Sequence, residues 1–211
     1  LIDCAAIGPD YLPGHAHADT LSFELSLFGK RFIVNSGTSV YSHGEERNKQ
    51  RSTSSHSTVV IDKCNSSDVW GSFRVAKRAK VFECLSKQQD DRILLSAYHD
   101  GYTRLKGRPI HFREWNFFDQ SLEVLDRIKG KGNHNVELIL LFHPSVVLVN
   151  LDKNIAVLDL LGKKVEIHLQ GKGNINIEKS YYHPEFGISI ENTKLVYKVF
   201  GKLPLEVKTR V

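Results

Sequence analysis

The sequence has no methionine, only three cysteines and no long apolar run among its 211 residues. The cysteines are odd in number and far apart, at Cys4, Cys64 and Cys84, which argues against a disulfide-rich scaffold. No apolar run approaches the roughly 20 residues that a membrane-spanning helix needs. Because the chain starts at Leu1 in mid-pattern and lacks methionine, we expect it to be a piece of a longer protein, so a leader could lie upstream.

Charge of one sign is only in mild excess. Lysine and arginine number 29 against 24 acidic residues, which gives a net charge of +5. Such an excess favours anionic partners through long-range attraction but does not choose among them. The sequence contains no zinc knuckle, RNA-binding aromatic strand or recognition-helix pattern, so we do not expect nucleic acid as a partner. An acidic polysaccharide fits the same charge.

Helical periodicity is scarce, and apolar and polar residues alternate with period two along most of the chain. Alternating segments recur about every 8–12 residues, separated by turn residues, which predicts an all-β fold. We expect a large antiparallel β-sandwich of the super-sandwich type, with little helix, as one domain over residues 1–211. Strands are predicted at 22–28 and 31–35 around a turn at Gly29-Lys30, at 73–85 as one long strand, and at 186–191. A turn is predicted at 90–91, and residues 38–57 form the one extended loop.

His15 and His17 are two positions apart, so in an extended segment both side chains leave the same face. Two such imidazoles can share a metal, or one can bind metal while the other faces a substrate. His56 adds a third imidazole from the far side of the polar loop. The same pair is also typical of ordinary polar residues at a strand end, and the residues alone leave both interpretations open. The nearby oxygen donors are Asp19, Glu24 and Asn35.

Cations and aromatics provide candidates for substrate binding. Arg51 and Arg74 belong to two alternating cationic runs, and a guanidinium can clamp a sugar carboxylate or sulfate through two hydrogen bonds. Trp70 could stack on a sugar ring. His99 begins a second polar cluster that ends at Tyr102, whose hydroxyl could act in proton transfer if its pKa fell. Solvated strand faces, core aromatics and a β-turn are the alternatives for these residues.

Taken together, these segments resemble the C-terminal domain of the heparinase II/III-like family of polysaccharide lyases. Each matching motif is short, and their order and spacing carry the resemblance. The motifs are residues 13–25 (PGHAHADTLSFEL), 35–38 (NSGT), 51–58 (RSTSSHST), 65–74 (NSSDVWGSFR), 99–102 (HDGY) and 184–187 (PEFG).

The resemblance implies a two-part enzyme in which an N-terminal α/α toroid precedes this β-sandwich in the same protein. It implies β-elimination at a uronic acid of an acidic polysaccharide. A base removes the proton α to the sugar carboxylate, the carboxylate charge is neutralised, and a Tyr or His protonates the leaving oxygen. His15 matches the histidine at the cleavage site, as neutraliser or base, and Tyr102 is the second catalytic candidate. Since the family's principal tyrosine lies in the toroid, we expect little or no lyase activity from this fragment alone.

The resemblance also implies a Zn²⁺ site built from His17, position 35 and His56. Position 35 is Asn35 here, where the family has an acidic residue, and a neutral amide is a poorer zinc ligand than a carboxylate. The expected substrate contacts are Arg51, Trp70, Arg74 and His99. A bacterial periplasmic or secreted location is implied by the resemblance alone.

Two other functions compete with the lyase domain. The first is a non-catalytic carbohydrate-binding or assembly module that retained the scaffold. The second is a metal-binding β-fold of different activity, such as a cupin-like oxygenase, which requires His15, His17 and Glu24 to converge as two histidines and one carboxylate. The lyase hypothesis requires instead that His15, His17 and His56 meet in one cavity rimmed by cations.

Overall fold

The structure is a computed structural model that describes residues 1–89 and 91–211. Its helical segments are short: α1 (Glu45–Gln50) and single turns of 3-10 helix at Pro13–His15 and Thr53–Ser55. The strands are β1 (Leu25–Leu27), β2 (Lys30–Val34), β3 (Val59–Ile61), β4 (Val69–Trp70), β5 (Arg74–Val75), β6 (Val81–Gln89), β7 (Arg92–His99), β8 (Ile110–Phe117), β9 (Leu122–Lys129), β10 (Asn133–Phe142), β11 (Val146–Asp152), β12 (Ile155–Leu160), β13 (Lys163–Gln170), β14 (Asn174–Tyr182), β15 (Ile190–Lys202) and β16 (Leu205–Arg210).

Two large antiparallel sheets carry the architecture. One has eight strands in the order β11-β12-β13-β16-β9-β8-β7-β6. The other has the order β1-β2-β10-β15-β14, with β3 also paired to β10. Their inner side chains share one core, to which Phe32 and Leu138 contribute from the six-stranded sheet and Trp115 and Ile167 from the eight-stranded sheet. The predicted antiparallel β-sandwich with little helix is confirmed.

The alternation in the sequence corresponds to the two faces of single strands. Along β9 and β12, buried and partly exposed residues alternate, as expected when one face packs on the core. β10 differs, because all residues from Leu138 to Phe142 are buried. Ile139 and Leu141 belong to a second, smaller cluster with Val196. Both faces of the six-stranded sheet are therefore buried at this end.

The strand predicted over residues 73–85 is wrong, because it divides in two. Arg74–Val75 pairs with β4 in a separate two-stranded ribbon, and a new strand starts only at Val81. Between them, the N–H of Ala79 donates to Ser67 Oγ, and the N–H of Lys80 donates to Asp100. Side-chain oxygens thus replace the strand ladder there, and local alternation cannot reveal this replacement.

The first hairpin turns one residue earlier than predicted. Leu27 pairs with Lys30, so the turn residues are Phe28 and Gly29, with φ of 54° and 73°. Positive φ at both positions is the type I′ geometry that matches the twist of a hairpin. The strand before this turn is also shorter than predicted, since Leu21 takes a φ of 59° and the N–H of Ser22 donates to Asp19 O.

The two segments that frame the site also depart from the predictions. The loop at 38–57 contains α1 and a 3-10 turn. The strand predicted at 186–191 begins only at Ile190. The turn predicted at 90–91 includes Asp90, which lies outside the described residues. No helix in the described part of the chain is both long and apolar enough to cross a membrane.

Candidate functional site

Two imidazoles from opposite sides of the polar loop meet. Nδ1 of His17 lies 3.1 Å from Nε2 of His56. His56 is only 2% exposed, and its Nδ1 lies 2.8 Å from the carbonyl oxygen of Ser52. A carbonyl can only accept a hydrogen bond, so Nδ1 of His56 carries the proton and Nε2 presents its lone pair to His17.

Hydrogen bonds to backbone carbonyl groups hold these two segments together. The N–H of Ala18 donates to Arg51 O, and Nε of Arg51 donates to Ala16 O at 2.8 Å. The hydroxyl of Thr53 donates to Ala18 O at 2.7 Å. The Arg51 side chain, predicted to bind substrate, is fully buried in this arrangement. There it fixes the backbone on either side of His17 and is out of reach of a glycan.

A carboxylate completes the group around the two histidines. One ligand atom from each of His17, Asp19 and His56 lies within 4.8 Å of the others. The amide of Asn35, predicted as the third ligand, is engaged elsewhere: its Oδ1 accepts the N–H of Ser57 at 2.9 Å. The acidic group beside the histidines is therefore Asp19.

Cations surround the histidine pair. Nη1 of Arg47 donates to Nε2 of His17 at 3.2 Å and to Thr38 Oγ1 at 3.2 Å. Burial, with the added effect of the neighbouring His56, Arg47 and Arg51 side chains, lowers the pKa of His17 to about 2. Burial also lowers the pKa of His56, although Asp19 opposes the shift. Both imidazoles are thus neutral at ordinary pH, the form that ligates a metal.

His15 lies on the exposed side of the same site. It ends the 3-10 turn Pro13–His15 and lines an open cavity of about 420 Å³ together with Asp3, His17 and Asp19. Burial and the neighbouring Asp19 raise the pKa of Asp3 to about 6. The cavity therefore brings together two histidines and two carboxyl groups, and Arg47 stands behind His17.

Sequence reasoning did not identify Tyr41 as part of the site. Its hydroxyl lies 2.8 Å from Nδ1 of His15, and its ring lies 4.8 Å from the guanidinium carbon of Arg47. The ring also contacts Phe186, with centroids 4.6 Å apart. A single tyrosine in a polar loop has no distinguishing spacing, and no pattern in the sequence connects residue 41 to residue 186.

The predicted catalytic Tyr102 and substrate contact His99 lie inside the fold. Both are fully buried. The Tyr102 hydroxyl donates to Val59 O at 2.7 Å, and burial raises its pKa well above the ordinary value. His99 accepts the N–H of Gly101 and faces His111. Neither side chain lines the cavity of His15, so neither can contact a substrate bound there.

Trp70 and Arg74 are exposed and lie opposite each other on the β4–β5 ribbon. The ribbon is joined to the histidine site because Nη2 of Arg51 donates to Arg74 O. Glu24, by contrast, pairs with Arg31 and is not in the metal-capable group of the described residues. The described residues therefore do not bring His15, His17 and Glu24 together as the set that a cupin-like oxygenase would need.

The fold and the site together define the class of this chain: an antiparallel β-sandwich domain that carries a cluster of histidines and a carboxylate. The sequence matches the family model described as "Heparinase II/III-like, C-terminal" over residues 1–208. The chain belongs to this family of polysaccharide lyase domains, as the motifs in the sequence predicted. No curated protein matches the sequence.

Solved structures share the fold. A mutant of the heparan sulfate lyase HepC from Pedobacter heparinus superposes with a TM-score of 0.78 at 20% identity, over 99% of this chain and 32% of that one. HepC itself gives 0.74 at 21% identity, over 92% and 30%. A heparinase III gives 0.76 at 15% identity, over 96% and 32%. The chain thus spans about a third of the length of these lyases.

Proposed function

We propose that this chain is the C-terminal β-sandwich domain of a polysaccharide lyase that cleaves a uronic-acid-containing glycan by β-elimination. The observation that carries the proposal is the exposed imidazole of His15, held by Tyr41 in a cavity whose inner wall is His17. Family membership supports the reaction class. An acidic glycan is the proposed partner, and a periplasmic or secreted location in a bacterium fits such a substrate.

The reaction requires a base at the α-carbon, a group that neutralises the carboxylate, and an acid for the leaving oxygen. His15 supplies one of these functions from this chain. Arg74 and Trp70 on the ribbon are the proposed contacts for the glycan, since both are exposed next to the site. The remaining groups would come from an α/α toroid in the same protein, which fits the threefold greater length of the solved lyases.

Zn²⁺ is the metal proposed for the buried histidines, and the residues present fit it. His17, Asp19 and His56 would hold the ion, with Asp19 taking the role of the acidic ligand that position 35 lacks. The bond from Nδ1 of His56 to the Ser52 carbonyl is the kind of outer contact that orients a ligating histidine. When bound, the ion would be structural, tying the segment of His15 and His17 to the segment of His56.

The test compares the longer protein to which we propose this chain belongs with the chain alone. On uronate glycans, the longer protein is expected to generate the ultraviolet absorbance of an unsaturated uronate, and His15→Ala is expected to abolish it. The chain alone should give none. Product formation by the isolated chain would refute the proposal that the remaining catalytic groups come from a toroid. Product formation by the His15→Ala protein at the wild-type rate would refute the role of His15, and no product from the wild-type longer protein would refute the lyase assignment.

A non-catalytic carbohydrate-binding module is the second candidate. The exposure of Trp70 and Phe186 favours it, because sugar-binding surfaces use exposed aromatic rings. Affinity electrophoresis in gels that contain heparan sulfate or alginate separates the two cases. A module should bind the glycan fully as the chain alone and show no dependence on His15, whereas the lyase domain should bind weakly without its toroid.

A further inference from the structure

We propose that Tyr41 is a positioning residue for His15: its hydroxyl donates to Nδ1, holds the proton of the imidazole on Nε2, and so makes His15 the hydrogen-bond donor to the sugar carboxylate. This inference rests on the proposed function and deepens it. Of the two roles that the family resemblance left open for His15, neutraliser and base, it assigns the first.

The contact has the geometry of a strong hydrogen bond, with 2.8 Å between the Tyr41 oxygen and Nδ1 of His15. In a neutral imidazole one nitrogen donates and the other accepts, and the partner of one nitrogen decides which. When the hydroxyl donates to Nδ1, the proton must be on Nε2. Among the described residues Nε2 of His15 has no hydrogen-bond partner, and the side chain is exposed. The donor is therefore free for a ligand.

Arg47 explains why the hydroxyl donates. The Arg47 guanidinium carbon lies 4.8 Å from the centre of the Tyr41 ring, and the Arg47 side chain is only 1% exposed. A buried cation against the ring favours the polarity in which the phenol gives its proton to a partner. Nη1 of Arg47 also donates to Nε2 of His17. Arg47 thus contacts both the ring of Tyr41, which is the partner of His15, and the imidazole of His17.

Phe186 provides the place for the sugar ring. Its ring contacts the Tyr41 ring edge-on, and the two side chains are 42% (Tyr41) and 56% (Phe186) exposed. Neither ring is fully buried, so an apolar face remains accessible beside the free nitrogen of His15. A pyranose has apolar C–H faces that pack on aromatic rings while its carboxylate extends from the edge. The arrangement therefore suits a uronate stacked on Phe186 with its carboxylate at His15.

The loop that bears Phe186 is fixed to the loop that bears Tyr41. The N–H of Gly187 donates to Ser39 O at 2.9 Å, and the N–H of His183 donates to Ser36 O at 2.6 Å. Gly37 permits this approach, since a Cβ there would lie 2.1 Å from the carbonyl oxygen of His183. The two aromatic rings are consequently held in register by the backbone.

The first experiment needs no substrate and uses the 211-residue chain. Long-range ¹H–¹⁵N spectra of the histidine rings, recorded at about pH 9, where free imidazoles are neutral, report which nitrogen carries the proton. We expect the proton of His15 on Nε2, and a mixture of both tautomers in Tyr41→Phe. Tyr11→Phe, at an exposed tyrosine, is the matched control and should leave the His15 signals unchanged. A proton on Nδ1 in the wild type, or identical His15 signals in wild type and Tyr41→Phe, would overturn the proposal.

The second experiment uses the lyase activity of the longer protein. Tyr41→Phe is expected to lower kcat roughly tenfold, the scale of one lost hydrogen bond, with little change in KM. Phe186→Ala is expected to raise KM, because the lost ring contacts the bound sugar. An unchanged kcat in Tyr41→Phe would count against the proposal. If no uronate glycan were cleaved by the wild type, the proposed function would fail, whereas the tautomer measurement would still decide the role of Tyr41.

Discussion

His17 and His56 are 39 positions apart in the chain, yet Nδ1 of the first lies 3.1 Å from Nε2 of the second. Nδ1 of His56 donates its proton to the carbonyl oxygen of Ser52, and Arg47 donates to Nε2 of His17. Without an ion, His17 therefore donates to His56, and a continuous chain of hydrogen bonds runs from Arg47 to Ser52. With an ion, the two facing nitrogens would be the ligand atoms. The ring proton of His17 would then be on Nε2, so Nε2 could no longer accept the hydrogen bond from Arg47.

Zinc should stabilise the wild-type chain, because an ion that binds only the folded state adds its binding free energy to folding. At a free concentration of about 100 times Kd the gain is about 2.7 kcal/mol, which raises the Tm by about 5–10 °C for a chain of this size. Asp19→Asn and His56→Ala should each lose most of the shift. Thermal melts and metal analysis after dialysis against zinc measure both effects.

The matched control for the zinc experiment is His168→Ala, at an exposed histidine on β13 that contacts Glu166. Its zinc-induced shift should equal that of the wild type. Zinc content in Asp19→Asn equal to that of the wild type would show that Asp19 is not a ligand, and an equal loss in His168→Ala would show that the site lies elsewhere.

Arg51 and Arg74 should separate stability from ligand binding. Arg51→Gln leaves the carbonyl of Ala16 without its buried donor, and the penalty for such a group is about 1–3 kcal/mol. Arg74→Gln, at an exposed side chain, should leave the free energy of unfolding within about 0.5 kcal/mol and should weaken binding to the glycan. Urea unfolding followed by tryptophan fluorescence gives the first quantity and affinity electrophoresis the second. Equal stability of the two variants would contradict the buried role of Arg51.

The sandwich could be predicted from the sequence because its signal is local. Alternation in β9 and β12 gives the buried face directly. The signal fails where pairing depends on distant groups. The break before Val81 depends on Ser67 and Asp100, which lie outside the segment itself.

The site could be predicted only in part, for the same reason. The repeated histidines in the motif marked His15 and His17, and the motif around position 56 marked their partner. That Asp19 lies beside the two histidines, and that the Asn35 amide instead accepts the N–H of Ser57, are properties of packing. The pairing of His15 with Tyr41 likewise exists only once the polar loop has folded against the segment of His15.

Acid should destabilise the fold in two steps. His99 and His111 are fully buried, and burial lowers the pKa of both in the folded state. Each therefore contributes stability that is fully present above the ordinary value of about 6.5 and is lost as the pH falls below it. For Asp126, burial alone would raise the pKa, but Arg113 and His111 lower it. That contribution is present above the ordinary value of 3.8 and is lost as the pH falls further.

Unfolding free energies measured in urea between pH 8 and pH 5 should test the histidine step. We expect stability to fall with falling pH in this window, and we expect the slope to be smaller in His99→Leu, which removes one group that must take up a proton. His168→Ala, at an exposed histidine, should retain the wild-type slope. A His99→Leu slope equal to that of the wild type would show that His99 does not take part in the loss of stability.

The thiols of Cys4 and Cys84 should differ in reactivity. Burial raises the pKa of the Cys4 thiol to about 12, with further contributions from Cys84 and Asp3, so very little thiolate is present at pH 8. Cys84 is exposed on β6. Iodoacetamide at pH 8, followed by peptide mass spectrometry over time, should therefore label Cys84 well before Cys4. In Cys84→Ser the labelling of Cys4 should remain slow, because burial is the main cause of its shifted pKa. Labelling of Cys4 first would mean that the N-terminal segment, which leads to Asp3 and the histidine cavity, opens to solvent more readily than its packing against the core indicates.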